Sequence, residues 1–318
     1  MSTSFDDLAQ RISRSDAKLG ETIRRVERNW ATGDPEDVEL TELISVTLMS
    51  CIDNGLFSTE TMVRGFNVFS DEFFERQLDS LRSGAYRAKD YETVRREIYA
   101  NDEYMASTYY PALLLSYVAS PNYRHILRSL GQVLVNWKAR GVSRIVDIAS
   151  GHGLLLLYAL RTLGAATGVS VDISPVAARF ASSLQRTTGW GMARFSSITK
   201  NLLASQPSEL YGPFDAAICC ELLEHIPNPE AFLERIGKCL VPHGRMFVSA
   251  AVRMESVDHL TYFATTTEVS RLIEDAGFAV LSEMSVPFVT TRPANSQKWN
   301  RLVADPSTPV TYVAECQI

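Results

Sequence analysis

The sequence predicts an α/β protein with a seven-stranded, mostly parallel sheet and an antiparallel edge, preceded by an all-helical region. Three observations lead there. From residue 141 onward, short β-branched runs alternate with helical patterns. Before that point apolar residues recur at helical spacing throughout. At the first strand-to-helix junction, Ile145-Val-Asp-Ile-Ala-Ser-Gly-His-Gly153 carries an apolar strand through a glycine-containing turn into the apolar run Leu154–Leu163. Alternation of this kind forces a parallel sheet with helices on both faces, because each crossover must be right-handed.

In the first 140 residues, Leu8–Trp30 repeats apolar residues at Leu8, Ile12, Leu19, Ile23, Val26 and Trp30, and Asp34-Pro35 closes that segment. Val38–Cys51 forms a second helix ending near Gly55. Ser58-Thr-Glu-Thr caps a third over Met62–Leu81. A tyrosine-rich stretch from Tyr91 to Tyr117 is interrupted by Pro111, and Tyr123–Lys138 leads to a stop at Gly141. Strands are then expected at 143–148, 167–172, 192–197, 214–220 and 244–251, with helices at 152–164, 175–187, 229–240 and 266–276. Two last strands, near 278–289 and 308–316 and joined through the polar segment 291–307, supply the antiparallel edge. The expected division is a helical substrate-lid or dimerisation domain at 1–140 and a ligand-binding catalytic domain at 141–318.

Composition narrows the function. With 318 residues, 46% of them hydrophobic, the chain can bury a large core. Thirty-one Lys and Arg against 37 Asp and Glu argue against a protein living on phosphate contacts, so nucleic acid is not the expected partner. Five cysteines without C-x-x-C spacing read as reduced thiols. No signal-like start and no uncharged apolar run of the ~18 residues a membrane span needs lead to the expectation of a cytoplasmic protein away from membranes.

The turn after the first strand carries the chemistry. Gly151 and Gly153 let a ligand lie against bare peptide. Asp172 ends the second strand 21 residues after Gly151, where a carboxylate can accept hydrogen bonds from two ribose hydroxyls. A helix cap is its alternative role, but Ser174 can serve there. Asp147, where a dinucleotide enzyme places its first glycine, would repel a pyrophosphate and suits a ligand bearing a cation. Asp215 is expected to stabilise the start of strand four.

Together with Phe214-Asp-Ala-Ala-Ile-Cys-Cys-Glu221 and Leu240-Val-Pro-His-Gly-Arg-Met-Phe-Val248, these runs resemble the class I S-adenosylmethionine-dependent methyltransferases over about residues 141–290. The resemblance implies a Rossmann-like methyltransferase sheet. It also implies S-adenosyl-L-methionine held by Asp147, Ala149, Gly151, Gly153, Asp172, Ile173, Ser197 and Glu221. Ala149 replaces the usual first glycine, and Ser196-Ser197 stand where many relatives carry an acid near the adenine.

Glu221-Leu-Leu-Glu224-His225 follows the fourth strand, and His259 lies in the loop after the fifth. If 221–225 turns helically, positions i, i+3 and i+4 share a face, and two carboxylates and an imidazole converge. A divalent cation would resolve that crowding. The run is similar to the metal site of small-RNA 3′-terminal 2′-O-methyltransferases and of ubiquinone-pathway O-methyltransferases. That resemblance implies Glu221, Glu224, His225 and His259 as ligands of Mg, Mn, Fe, Ni or Zn. Metal-free catalysis with His225 as general base, or a helix-capping role, stays open. Glu221, His225 and His259 are the candidate catalytic residues. His152 is a loop or cofactor residue, His125 a surface helix residue and His243 a turn residue.

A metal chelating two neighbouring oxygens would orient an acceptor and lower its pKa. The expected substrate is therefore a small molecule with adjacent oxygens, methylated on oxygen or, for an α-keto acid, on the enolate carbon. Tyr104, Tyr109 and Tyr110, with Met105, Leu114 and Tyr117, would roof its pocket, with interdomain core as the other reading. A helical addition of this length suits natural-product biosynthesis by fold-level analogy, and a homodimer through the helices is conceivable. An RNA ribose methyltransferase is the alternative enzyme, and a non-enzymatic S-adenosylmethionine binder the third reading.

Overall fold

The computed structural model describes residues 3–30, 34–83, 90–164, 166–188, 194–204, 212–289, 292–293 and 295–318. The amino-terminal region is helical as expected: α1 (Thr3–Ser15), α2 (Ala17–Trp30), α3 (Pro35–Asp53), α4 (Thr59–Ser83), α5 (Tyr91–Val94), α6 (Asp102–Tyr104), α7 (Tyr110–Ala119) and α8 (Pro121–Ala139). Two details differ from the sequence pattern. The Leu8–Trp30 repeat is broken at Asp16, whose carboxylate accepts the Leu19 N–H at 2.9 Å and so starts a new helix. Asp34 opens α3 rather than closing the segment before it. Its side chain accepts the Glu36 N–H at 3.1 Å, and Pro35 occupies the first turn, where a missing N–H costs nothing.

Between α5 and α7 the chain makes two π-helical turns, Arg95–Tyr99 and Met105–Tyr109. The amide of Ala100 reaches back to the Arg95 carbonyl at 2.8 Å, widening the helix by one residue. Such insertions concentrate at functional sites. Each of these turns ends on a tyrosine that faces the cavity described below.

Seven strands follow: β1 (Arg144–Ile148), β2 (Thr167–Asp172), β3 (Arg194–Thr199), β4 (Phe214–Cys219), β5 (Leu240–Val252), β6 (Ala279–Pro287) and β7 (Val310–Gln317). They form one sheet in the order β3-β2-β1-β4-β5-β7-β6. The first five strands are parallel, and β7 runs antiparallel to both β5 and β6. The predicted strand 192–197 is seen from Arg194, its first two residues lying outside the described ones, and it extends to Thr199. The crossover helices are α9 (Leu154–Leu163), α10 (Pro175–Thr188), α11 (Pro229–Gly237) and α12 (Thr266–Asp275). A further helix, α13 (Ser296–Ala304), lies within the segment read as polar loop, capped by Asn295 accepting the Lys298 N–H at 2.9 Å. Strand order reverses between β1 and β4, and the crevice outside their carboxyl ends is where open α/β sheets bind ligands.

One core spreads over each face. On one face, residues from Phe5 of α1 through Trp137 of α8 to Leu156 of α9 and Phe180 of α10 make a continuous cluster. On the other, Phe232 and Ile236 of α11 pack with Val269 and Ile273 of α12. Helix α8 is fastened to the sheet by polar contacts as well. The Asn122 side-chain amide donates to the Val286 carbonyl and to Thr311 Oγ1, and the Trp137 indole donates to Glu315 at 3.1 Å. Asp215 accepts from Ser143 and Arg144, so it anchors the start of β1 rather than of its own strand. Among the described residues, no helix is long and apolar enough to cross a membrane.

His125 is not the surface residue its position in α8 suggested. Its ring lies edge-on between Trp30 of α2, 5.2 Å away, and Trp299 of α13, 5.5 Å away. His243, expected in a turn, lies instead within β5, at φ +63° where the pairing with β4 shifts register. Burial, reinforced by Arg292, Arg128 and Arg124, pushes the His125 pKa down from 6.5 to about 4. Its folded pKa lies below its unfolded value, so its contribution to stability is complete above pH 6.5 and is lost as pH falls toward 4. The wild type should therefore lose about 2 kcal/mol more between pH 7 and pH 5 than a His125→Gln variant. Denaturant titrations of the two proteins at both pH values measure the difference, and equal acid sensitivity would contradict it.

Candidate active site

At the crevice, the β1–α9 turn is held open by three left-handed residues: Ala149 at φ +52°, Gly151 at +50° and Gly153 at +79°. Alanine tolerates that conformation at a modest cost. Asp172 ties this turn to the next one. Its Oδ2 accepts the Gly151 N–H at 2.9 Å, and its Oδ1 accepts the Ser174 N–H at 2.8 Å. Ser174 itself accepts the Val176 N–H and caps α10, which leaves Asp172 free of that duty. Asp147 is buried, and its Oδ2 has no hydrogen-bond partner. Burial first, and the Asp172 charge second, raise its pKa well above the usual carboxylate range. Burial likewise raises that of Asp172, against the backbone amides of Ser174, Gly151 and Ile173 that lower it.

These residues open into one cavity of about 390 Å³, inside the range of small-molecule sites. Asp147, Ala149, Gly151, Asp172, Ile173 and Glu221 all line it. Two residues assigned to the cofactor do not. Gly153 sits at the start of α9, where an added Cβ would come 2.5 Å from Ala181 Cβ, so its role is close packing of α9 on α10. Ser197 lies inside β3 with its hydroxyl buried and unpartnered. Because β3 runs two residues past the predicted end, Lys200, Asn201 and Leu202 reach the cavity edge instead. His152 lines the cavity and caps its own turn, Nδ1 accepting the Leu154 N–H at 3.1 Å.

The segment after β4 does not turn helically from Glu221, as the i, i+3, i+4 argument required. Glu221 has φ +46°, and its carboxylate accepts the Ser249 hydroxyl at 2.7 Å. The helical turn spans only Leu223–His225. Glu224, His225 and His259 still converge, with one ligand atom from each lying within 4.8 Å of the others. Glu221 stands outside that group, though near enough for its charge to raise the Glu224 pKa, after burial.

Glu224 is 1% exposed, and neither carboxylate oxygen has a hydrogen-bond partner of normal geometry. His225 Nε2 lies 4.0 Å from it. The other ring nitrogen, Nδ1, is 3.0 Å from the Asp258 carbonyl oxygen and therefore carries the proton. His259 Nδ1 donates in the same way to the Met254 carbonyl at 3.0 Å. Both rings are thus set in the tautomer whose Nε2 carries the lone pair. Carbonyl anchoring of two imidazoles beside an uncompensated carboxylate is a donor set that fits a divalent cation.

The helical region closes the cavity. Tyr109, Tyr110, Met105 and Tyr117 line it, whereas Tyr104 stands behind Tyr109, ring centroids 6.2 Å apart, and Leu114 is buried in the core. Sequence reasoning missed Tyr99, Tyr123 and Asp258, which also line it, and the stripe Phe66, Phe69 and Phe73 of α4. The i, i+3, i+7 spacing of those phenylalanines was visible but reads equally as ordinary core.

Comparison with known proteins decides the family. The family described as "Methyltransferase domain" matches residues 119–283, just over half of the chain. The chain belongs to this family. Residues 119–283 are thus a methyltransferase domain. Ubiquinone biosynthesis O-methyltransferase of Xylella fastidiosa is 34% identical over 131 residues, 40% of this chain and 51% of the relative. The enzyme of that name from Aeromonas salmonicida is 28% identical over 178 residues, covering 48% and 72%. The chain spans about half the length of the curated relatives it matches first. Among solved structures, mitomycin 7-O-methyltransferase shares the fold with a TM-score of 0.52 at 18% identity, over 81% of this chain and 71% of that one. An O-methyltransferase family protein from Burkholderia thailandensis gives 0.51 at 17%, over 81% and 72%. The family match takes in α8, consistent with its fastening to the sheet.

S-adenosylmethionine suits the residues present at the crevice. Asp147 Oδ2, a buried acceptor without a hydrogen-bond partner, would suit a cationic ligand, and Asp172 keeps lone pairs for hydroxyls after its two amide bonds. The tight spot behind the turn gives a direct test. Gly153→Ala should cost about 2–3 kcal/mol, from the positive φ and the clash with Ala181 together. Adding Ala181→Gly should recover the steric part alone, as read by denaturant unfolding. No loss in the single variant would contradict the close packing.

Proposed function

We propose that the chain methylates a small molecule bearing two adjacent oxygens, on oxygen or on an enolate carbon, with a divalent cation held by Glu224, His225 and His259. The observation that carries this reading is the convergence of those three side chains in the cavity that Asp147 and Asp172 also line. Bound there, S-adenosylmethionine supplies an activated methyl group and the cation supplies Lewis acidity toward the acceptor oxygens.

The chain's own residues do the rest. Asp172 would accept the ribose hydroxyls and Asp147 the cationic amino-acid end, with Ala149, Gly151 and Ile173 as the bare wall between them. Glu224 brings the negative charge of the metal site, and the two imidazoles present Nε2 to it. Two nitrogen donors favour Fe, Ni or Zn over Mg. Glu221, braced by Ser249, is assigned to the cofactor side rather than to the cation. Residues 1–140 act as the substrate lid, with Tyr109 and Tyr110 keeping water from the reacting atoms. The O-methyltransferase names of the ubiquinone-pathway relatives support oxygen as acceptor.

The test combines elemental analysis of the purified protein with assays of catechols and α-keto acids before and after EDTA. Glu224→Gln and His259→Ala should each lower kcat/KM by about 100-fold, with affinity for S-adenosylhomocysteine retained. Activity indifferent to EDTA, with no metal in the protein, would overturn the cation. Loss of turnover in His225→Ala alone would then make that imidazole a general base, a reading its fixed tautomer also allows.

A further inference from the structure

Two tyrosines of the helical region meet one carboxylate beside His225. Tyr99 ends the first π-helical turn and Tyr109 the second. Their hydroxyls both donate to Asp258 Oδ2, each at 3.3 Å. Ser256 Oγ donates to the other oxygen, Oδ1, at 2.7 Å. Asp258 is 2% exposed, so these hydroxyls and the imidazole replace its water. The same residue's main-chain carbonyl takes the His225 Nδ1–H, and Tyr99 Oη also lies 3.0 Å from that nitrogen. A single consistent proton arrangement results: Nδ1–H points between the Asp258 carbonyl and Tyr99 Oη, and the Tyr99 proton goes to Asp258 Oδ2.

We propose that Tyr99, Tyr109 and Asp258 form a latch between the helical lid and the β5–α12 loop, acting as positioning residues that set the tautomer and direction of His225. The inference rests on the reading of His225 as an active-site residue, and it holds whether that imidazole binds a cation or takes a proton. Several features carry it. The π-turns displace each tyrosine by one residue from where a continuous α-helix would put it, and both displaced hydroxyls land on the same oxygen atom. A roof that merely excluded water would need neither hydroxyl, since phenylalanine would fill the same space. The contacts also span 159 and 149 residues of sequence, so they form only when the lid is seated on the sheet. Lid seating and His225 alignment thereby become one event.

The test uses Tyr99→Phe, Tyr109→Phe, the double variant and Asp258→Asn in the full chain. Nitrogen-15 correlation spectra of the imidazoles report tautomers without any turnover, and five histidines make assignment tractable with His225→Gln as the reference. In the wild type, His225 should show a single Nδ1–H form. In Tyr99→Phe and Asp258→Asn it should show a mixture. Where turnover is measurable, kcat should fall about tenfold in Tyr99→Phe and less in Tyr109→Phe, with KM for S-adenosylmethionine nearly unchanged. The double variant should lose less than the product of the singles, because both tyrosines act through one carboxylate. An unchanged His225 spectrum in Tyr99→Phe overturns the latch. So does a kcat loss matched by equal losses of cofactor affinity and thermal stability, which would mark a purely structural role. Absence of turnover on every acceptor in the wild type would count against the proposed reaction, while the spectra would still decide the latch.

Discussion

A single carboxylate holds the crevice in shape. Asp172 receives one amide from the turn after β1 and one from the turn after β2, so two loops are pinned to one side chain. The left-handed residues Ala149 and Gly151 are tolerable because that bond rewards the conformation they adopt. Every other distance in the site is measured from this corner. The wall at Ile173, the floor at Asp147 and the approach to Glu221 follow once the two turns are fixed.

Around that corner the protein gathers acids. Asp147, Asp172, Glu221, Glu224 and Asp258 all face one cavity, and Lys200 is the one lysine or arginine along its described lining. Burial raises the pKa of the first four above the ordinary carboxylate range. Without a cation, such groups gain by holding their protons. A ligand carrying positive charge reverses the balance, since each buried acid then ionises against a partner instead of against solvent lost. Asp258 is the exception: burial raises its pKa, but His225 and His259 together with hydrogen bonds from the Ser256 hydroxyl and its own amide bring it below the usual value.

Much of this was legible in the sequence because the signals were local. The glycine turn, the strand-ending Asp172 and the alternation of strands and helices each depend on residues within a few positions of one another, and the sheet follows from them. Glu224, His225 and His259 were found the same way, through short motifs at the edge where ligands bind. What escaped depends on geometry across distance. Glu221 was misjudged because a helix was assumed where a left-handed residue begins the turn. Ser197 was placed at the cavity because β3 was ended two residues early. Asp258 was passed over since an acid beside a histidine acquires meaning only when two tyrosines from far upstream arrive on it. Gly153 looked like a ligand-facing glycine, yet its missing side chain makes room for Ala181.

The order of the sheet has a consequence for how the polypeptide assembles. β7 lies between β5 and β6, although it is translated after both. Until β7 is synthesised, β6 has no strand partner and one edge of β5 is a bare row of amides and carbonyls. Helix α13, whose Trp299 wedges against Trp30 and His125, is likewise a late arrival that touches the earliest helices. The β5–β7–β6 edge of the sheet can therefore be completed only by the last strand of the chain, which enters between two strands made before it.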